Sequence, residues 1–293
     1  MDGWAAEVLQ RFATLPGMEI FVLGVSADGE ALTETDHRRR LAEADVVVGG
    51  ERHLALLATA GLPVPDGQQR LPWPVPLRPG LADWPSRFAG RRVLVLASGD
   101  PLVAGIGSTL VEMFGPERVQ LEPAVSSIAL ARAEMRWAAE TVTVLRDHRE
   151  LPRQLWAGSR ILILSADETV PGEVAELLSA NGFGESRMTT LGDLGTPSAS
   201  SYTATADHWS GRPAPRLHVL AVEAAAAADR AGLGLAAGLP DAAFEHDGQL
   251  TKRDLRASAL ARLAPVPGAL LWDVGAGAGS VGIEWLRHHR GCR

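Results

Sequence analysis

Two glycine-rich segments directly follow apolar runs, and their backbone amides could bind a small molecule. One is SGDP at residues 98–101, and the other is DVGAGAGS at residues 273–280. Glycine lets the backbone approach a ligand closely, and a helix that begins after the loop adds partial positive charge. Such loops lie at the carboxyl ends of parallel strands, where open α/β sheets bind ligands. Each segment therefore predicts a ligand site, and the alternative for each is a tight turn without a ligand.

The spacing in the second segment distinguishes between two kinds of cofactor site. A nicotinamide site prefers glycine at position 280, in the G-x-G-x-x-G spacing, and Ser280 stands there. The segment thus resembles motif I of the Rossmann-like class I methyltransferases. Such sites also need an acidic residue on the ribose, about 20 residues further on, which would lie at or beyond Arg293. We therefore expect this half-site to be truncated and to lack one wall.

Short apolar runs alternate with amphipathic stretches from residue 19 onward, as in EIFVLGV, TDHRRRLAEA, DVVVGG and ERHLALLATAG. This alternation predicts a parallel sheet covered by helices. The proline-rich residues 63–85 are predicted to form an ordered surface connection without regular helix, because proline removes a backbone donor. A strand is expected in ALLWDV, before the second glycine loop. The predicted organisation is an N-terminal extension (1–18), two α/β domains (19–125 and 126–223), a partly helical Ala/Gly-rich linker (224–240) and a truncated domain (241–293).

The composition limits the partners that we expect. The chain has 28 basic and 35 acidic side chains, and its net charge of −7 offers no general attraction to nucleic acid or anionic membrane. No apolar run approaches the roughly 20 residues that span a bilayer, and MDGWAAEVLQRF lacks a signal pattern, so a cytoplasmic location is expected. Cys292 is the only cysteine. No metal site is expected, because the adjacent His288 and His289, near Glu284, point to different sides of a helix.

The first glycine-rich segment carries a resemblance to a known family. SGDPLVAGIGSTL, with EADVVVGGERHLALL before it and EPAVSSIALARAEMRW after it, resembles the CbiE-type tetrapyrrole methylases over roughly residues 19–223. The stretch FEHDGQLTKRDLRASALARLAPVPGALLWDVGAGAGSVGIEWLR resembles the opening of CbiT-type enzymes. This order of modules is that of the CobL family of precorrin methyltransferases. The resemblance implies the tetrapyrrole methylase fold, two α/β domains with a cleft between them, followed by the start of a Rossmann-like methyltransferase domain.

The resemblance also implies an activity. S-adenosylmethionine would bind in the cleft, and a precorrin of the cobalamin pathway would receive a methyl group at carbon 5. A complete second module would methylate carbon 15 and remove a carboxyl group, and we expect truncation to abolish that half. Two alternatives remain open, a non-catalytic remnant that binds cofactor or tetrapyrrole, and a methylase of the same fold with another substrate. The resemblance is also compatible with a homo-oligomer.

The family's functional positions transfer to matching residues of this sequence. The predicted cofactor contacts of the first module are Ser98, Gly99, Asp100, Val103, Ser126, Ser127 and Gly195. Those of the truncated module are Thr251, Gly275, Ala276, Gly277, Ala278 and Gly279. Proximity to these motifs makes His53 and His148 candidate proton acceptors, and it makes Arg132, Arg136 and Arg149 candidates for binding substrate carboxylates. The alternative for each of these five is a structural or solvated side chain.

Two segments depart from the family pattern. The family has a G-x-G-P-type loop after the first strand, where this chain has Gly24, Val25, Ser26 and Ala27. The family shows a Ser-Leu-His-Gly-Arg stretch where this chain has RDHR at residues 146–149. Small residues preserve clearance in the first segment, and the second retains one imidazole. These departures affect the expected backbone conformation of both segments.

Overall fold

The computed structural model describes residues 17–165, 167–227, 233–289 and 291–293. A first lobe contains a five-stranded sheet in the order β3-β2-β4-β1-β5, in which every pair of neighbours is parallel. Its strands are β1 (Glu19–Val25), β2 (Val46–Gly49), β3 (Gln69–Pro72), β4 (Arg92–Ser98) and β5 (Val119–Glu122). The intervening helices include α1 (Thr35–Glu43) and α2 (Glu51–Thr59) before β3, and α5 (Ile106–Phe114) before β5. The predicted parallel sheet is confirmed.

Both faces of this sheet are buried, which explains why its central strands are continuously apolar. In β4, Val93 and Val95 belong to the core on one face, and Leu94 and Leu96 belong to the core on the other. Successive side chains of a strand point to opposite faces, so an uninterrupted apolar run fits a sheet with helices on both sides. The register pairs Val25 with Ser98, so β1 and β4 end together at one edge.

The proline-rich residues 63–85 are more regular than the sequence predicts. They contain β3 and most of two short helices, α3 (Leu77–Ala82) and α4 (Trp84–Arg87). Pro79 and Pro85 lie in the first turns of these helices, where a backbone N–H has no intrahelical partner, so neither proline interrupts a hydrogen bond. Trp84 is only 2% exposed and stacks against Trp73. The expectation that this segment contains no regular helix is therefore wrong, whereas its residues 63–80 do lie at the surface.

A second lobe contains a mixed sheet in the order β6-β7-β10-β8-β9. Its strands are β6 (Val142–Leu145), β7 (Arg160–Ser165), β8 (Arg187–Gly192), β9 (Ser200–Thr205) and β10 (His218–Glu223), with α6 (Ser127–Met135) and α7 (Val170–Ala180) as its helices. Only β6 and β7 are parallel, and the other neighbours are antiparallel. The sequence carries no signal for β9, because its residues SSYTAT are mostly polar and none of them is buried, so the strand lacks an apolar alternation.

The C-terminal region contributes two helices, α8 (Arg253–Leu263) and α9 (Ser280–His288). The predicted strand in ALLWDV is wrong, since Trp272 is 81% and Val274 is 91% exposed and no described strand lies alongside them. A strand needs a neighbour for its backbone groups, and here only Leu271 and Ala269 pair, with Arg293. The predicted linker lies partly outside the described residues, as does most of the N-terminal extension. The described part of the linker contains no helix.

A buried ion cluster joins the lead-in of this region to both helices. Arg256 is 0% exposed, and its guanidinium donates to Glu284 at 2.8 Å, to Asp241 at 2.8 Å and to the Thr251 carbonyl. Glu284 also accepts the backbone N–H of Gly238 at 2.6 Å.

Within the described ranges, no helix is long and apolar enough to cross a bilayer.

Candidate functional site

A cleft of about 580 Å³ lies between the two lobes, at the carboxyl ends of β1 and β4. The first lobe contributes Val25, Ser98 and Gly99, and the second contributes Ser165 and His218 among others. The second lobe presents strand ends here because β10 begins opposite the last residues of β7 and β8, with His218 paired to both Ser165 and Gly192. The arrangement places two loop systems around a single cavity, as the sequence analysis expects for a cofactor site.

Gly99 packs closely against the segment that leads into the second lobe. Its N–H donates to the Val25 carbonyl at 2.9 Å, and its carbonyl accepts from Ala124 at 3.1 Å. Its φ is +53°, and a Cβ at this position would lie 2.8 Å from the Ser126 Cα. A Cβ on Gly24 would in turn collide with the Gly99 carbonyl. Only glycine fits at either position, and the result is a cleft floor made of closely packed backbone.

The altered loop after β1 forms a compact turn despite its departure from the family pattern. The Ser26 hydroxyl donates to Asp28 Oδ1 at 2.6 Å, and the Glu30 N–H donates to the same oxygen at 3.0 Å. These hydrogen bonds, that of Ser26 foremost, lower the pKa of Asp28. Gly29 closes the turn by donating to the Ser26 carbonyl. Ala27, which stands at the position of the family's proline, lines the cleft.

Arg52, His53 and Ser98 form a polar cluster in the cleft wall. His53 Nε2 lies 3.0 Å from Ser98 Oγ and 3.3 Å from an Arg52 nitrogen, and Arg52 also donates to the Ala27 carbonyl at 3.1 Å. Burial, and then the charge of Arg52, lower the pKa of His53 to about 4, so the ring is neutral near pH 7. Because Arg52 can only donate, Nε2 is an acceptor and the ring proton resides on Nδ1.

Sequence reasoning missed two residues of this wall. Arg52 lies in the first turn of α2, which begins two residues after β2, and its place beside His53 is a signal that it could reach the same sheet edge. Burial lowers the pKa of Arg52, and the negative charge of Asp193 in the second lobe opposes this effect. His218 lies at the start of β10, and its Nδ1 hydrogen-bonds to the Pro215 carbonyl at 2.8 Å. No periodic or motif signal in the sequence marks His218 as a cleft residue.

The predicted cofactor contacts of the first module converge. Five of them line the cleft, together with the candidate His53: Ser98, Gly99, Val103, Ser126 and Ser127. Asp100 lies in the adjoining turn, where its carboxylate accepts the Leu102 N–H at 2.8 Å. Gly195, with φ +78°, lies between residues 194 and 196, which both line the cleft. Their role in cofactor binding remains a prediction that this convergence favours.

Four other candidates lie outside the cleft lining. Arg132 donates to the Trp137 carbonyl at 3.3 Å, and Arg136 is exposed at the left-handed end of α6. Arg149 donates to the carboxylate of Asp147. His148 Nε2 lies 2.9 Å from a carboxylate oxygen of Glu173, a residue of α7. Each of these assignments also stays a prediction, but the geometry of the cleft does not favour it.

The second glycine loop is open to its surroundings. Gly275, Gly277 and Gly279 all have positive φ, between 56° and 75°, and a Cβ on Gly275 or Gly277 would meet nothing within 4 Å. Thr251 is held near α8 by the Arg256 guanidinium. The loop therefore has the backbone conformation of a ligand turn, and Gly275 and Gly277 face open space.

Comparison with known proteins agrees with this architecture. Residues 84–208 match the family described as Tetrapyrrole (Corrin/Porphyrin) Methylases, and residues 242–293 match the Precorrin methyltransferase domain. The solved structure of the cobalamin biosynthesis precorrin-6Y methylase from Archaeoglobus fulgidus superposes with a TM-score of 0.52 at 24% identity, covering 71% of this chain and 98% of that one. Two α/β lobes around a single cleft thus define a protein with the tetrapyrrole methylase fold, and the predicted fold is confirmed.

Sequence similarity narrows this class to one family. The precorrin-6Y C(5,15)-methyltransferase (decarboxylating) of Sinorhizobium sp is 42% identical over 269 residues, which are 90% of this chain and 64% of that protein. The protein of the same name from Mycobacterium tuberculosis is 37% identical, with 93% of this chain and 68% of that protein covered. The chain belongs to the precorrin-6Y C5,15-methyltransferase family, and it spans about two thirds of the length of these relatives.

A shorter relative matches the first module. The cobalt-precorrin-7 C(5)-methyltransferase of Salmonella typhimurium is 28% identical over 174 residues, which are 59% of this chain and 83% of that protein. The family resemblance predicted from SGDPLVAGIGSTL and its flanking segments is therefore confirmed. The Rossmann-like character of the C-terminal region stays a prediction.

Proposed function

We propose that this chain is an S-adenosylmethionine-dependent C-methyltransferase that acts on a precorrin in cobalamin biosynthesis, and that its two-lobed module methylates carbon 5. The observation that carries the proposal is the convergence of Gly24, Gly99 and Ser126 on the floor of the interlobe cleft. The names of the relatives support the choice of substrate and of the methylated carbon, because each of them names a precorrin. Two of the names specify both C5 and C15, and that of the shorter relative specifies C5 alone.

The cleft suits S-adenosylmethionine in size and in lining. Its volume of about 580 Å³ falls within the roughly 300–1,000 Å³ of small-molecule sites. Backbone around Gly99 would face the ligand, with Ser98, Ser126 and Ser127 as hydroxyl partners and Val103 as an apolar wall. The cofactor would supply an electrophilic methyl group on a positively charged sulfur.

The side chains around the cleft then act mainly by positioning. Orientation of two reactants can supply roughly 7–11 kcal/mol of a barrier, and rigid backbone at Gly99 serves that purpose. His53 is neutral and its Nε2 already accepts from Arg52, so it orients the Ser98 hydroxyl rather than acting as a free base. We therefore assign His53 a positioning role.

For the C-terminal region, we propose that Thr251 and residues 275–279 form part of a second cofactor site, at which the complete family protein methylates carbon 15 and removes the carboxyl group. The open surroundings of Gly275 and Gly277 support a site that needs further walls. We further propose that the 293-residue chain by itself carries out the carbon 5 step only. Local arginines would hold the anionic macrocycle, because the net charge of −7 does not attract it.

The experiment is a turnover assay with the precorrin substrate and S-adenosylmethionine, with products analysed by mass spectrometry, alongside calorimetric titration of S-adenosylhomocysteine. Asp100→Ala should weaken cofactor binding about tenfold, because it removes a charged hydrogen-bond acceptor that fixes the turn. Asp66→Ala, a change in an exposed turn, is the matched control and should have no effect.

The outcomes separate the candidate functions. Transfer of one methyl group to carbon 5 supports the proposal. Binding of cofactor and macrocycle without transfer supports the non-catalytic alternative, and transfer to another acceptor supports a methylase of different specificity. Absence of cofactor binding would overturn both methyltransferase functions, and absence of macrocycle binding as well would overturn the non-catalytic one.

A further inference from the structure

Arg146 presents a positive charge to the cleft without a partner in the protein. It follows β6 directly, is exposed, and is one of two arginines that line the cavity. The other, Arg52, is already engaged by the Ala27 carbonyl, His53 and Ser98. Among the described residues, Arg146 forms no hydrogen bond and no ion pair. Its guanidinium donors are therefore available to a ligand.

The arginine three residues further on is in the opposite situation. Arg149 donates to both carboxylate oxygens of Asp147, at distances of 2.7–3.0 Å. This pairing, with Arg149 as the largest cause, lowers the pKa of Asp147 to about 2. Arg149 is neutralised locally and does not line the cleft. The turn at residues 146–149 thus divides its arginines into one that faces the cavity and one that stabilises the turn.

The chemistry of a guanidinium indicates what this position binds. Its planar array of N–H donors matches a carboxylate, with which it forms paired, charge-assisted hydrogen bonds. Asp193 lies opposite Arg52 and influences its pKa, so an incoming anion would be repelled there and attracted at Arg146. Arg146 is also at the exposed rim, whereas the predicted cofactor contacts lie at the floor around Gly99.

Resting on the proposed function, we propose that Arg146 binds a carboxylate of the macrocyclic substrate, and that Arg149 does not. A tetrapyrrole that carries its side chains as free carboxylates would place one of them at the rim while the ring enters the cleft. Arg146 is then a specificity-determining residue, because it distinguishes an acidic macrocycle from one whose side chains are amidated or esterified.

The test uses the full chain and two corrinoid probes, cobyrinic acid with its free carboxylates and its methyl ester with uncharged ester groups. Binding is followed by the visible absorbance of the corrin, and S-adenosylhomocysteine binding is measured separately. Arg146→Gln should weaken cobyrinic acid binding about tenfold, the loss of one charge-assisted contact at an exposed site. It should leave binding of the ester and of S-adenosylhomocysteine unchanged. Arg149→Gln is the matched control and should change cobyrinic acid binding less than about twofold.

Each other outcome overturns the proposal in a recognisable way. Equal weakening by both variants would indicate general electrostatic attraction. Equal weakening of acid and ester by Arg146→Gln would indicate loss of packing, and weakened S-adenosylhomocysteine binding would assign Arg146 to the cofactor's carboxylate. Unchanged cobyrinic acid binding in Arg146→Gln would refute the assignment while leaving the proposed function intact. Failure of the unaltered protein to bind either corrinoid, with cofactor binding retained, would refute the tetrapyrrole substrate itself.

Discussion

Gly99 provides a direct test of the cleft geometry, because adding a single methyl group there has two separable costs. Its φ of +53° is unfavourable for alanine, and the new Cβ would lie 2.8 Å from the Ser126 Cα and 2.9 Å from the Val125 carbonyl oxygen. Both neighbours are backbone atoms of the segment that begins the second lobe. The methyl group cannot be accommodated by a change of rotamer, so the two lobes must move apart locally.

The magnitude follows from these two terms. A left-handed conformation costs alanine about 1–2 kcal/mol, and forced overpacking adds about 1–3 kcal/mol. We expect Gly99→Ala to lower the free energy of unfolding by about 2–5 kcal/mol in total. Gly90 is the matched control, since its φ is +69° and a Cβ there would meet nothing within 4 Å. Gly90→Ala should show the conformational cost alone, about 1–2 kcal/mol.

The assay compares urea denaturation, followed by tryptophan fluorescence, with calorimetric titration of S-adenosylhomocysteine. Gly99→Ala should be less stable than Gly90→Ala by the overpacking term, and it should lose most of its cofactor affinity while Gly90→Ala keeps it. If the two variants are equally stable and bind S-adenosylhomocysteine as the unaltered protein does, the lobes do not close on Gly99 as described, and the proposed cofactor position is refuted.

Three further predictions concern other parts of the chain. The pKa of His53 is lowered from 6.5 to about 4 in the folded protein. As the pH falls, the unfolded chain therefore binds the proton first. The free energy of unfolding should decrease between about pH 6.5 and pH 4, by about 2 kcal/mol at pH 5. Urea denaturation at pH 5 and 7.5 measures this loss, and a loss undiminished in His53→Gln would contradict it. Arg256→Met should destabilise the C-terminal helices by about 3–5 kcal/mol, because it leaves the buried Glu284 without its counter-ion. Arg262→Met, at an exposed position, should have little effect. Hydrogen exchange over α8 and α9 distinguishes the two variants. The isolated chain should yield a singly methylated product that retains all its carboxyl groups, since the loop at Gly275 lacks walls, and a doubly methylated, decarboxylated product by mass spectrometry would refute this.

Much of the fold could be predicted because its signals are local. Strands such as β4 are continuously apolar and are buried on both faces, and helices such as α2 follow them with their own periodicity. The helices of the proline-rich segment were not predicted, because the effect of Pro79 and Pro85 depends on where each helix begins, and both prolines lie in a first turn. The edge strand β9 and the predicted strand near Trp272 show the same dependence, since a strand forms only beside a partner.

For the site, the sequence by itself determined the loops that follow the strands. A glycine-rich turn after a buried strand must lie at a sheet edge, and Ser98 and Gly99 could therefore be identified from residue type and order. The tertiary structure alone decided which charged side chains face the cleft. Arg146 and Arg149 are equivalent in sequence, yet one has an internal carboxylate partner and the other does not. The Arg149–Asp147 pair is local, but the position of Arg146 in the cleft depends on the packing of the two lobes against each other, and residue spacing carries no information about that packing.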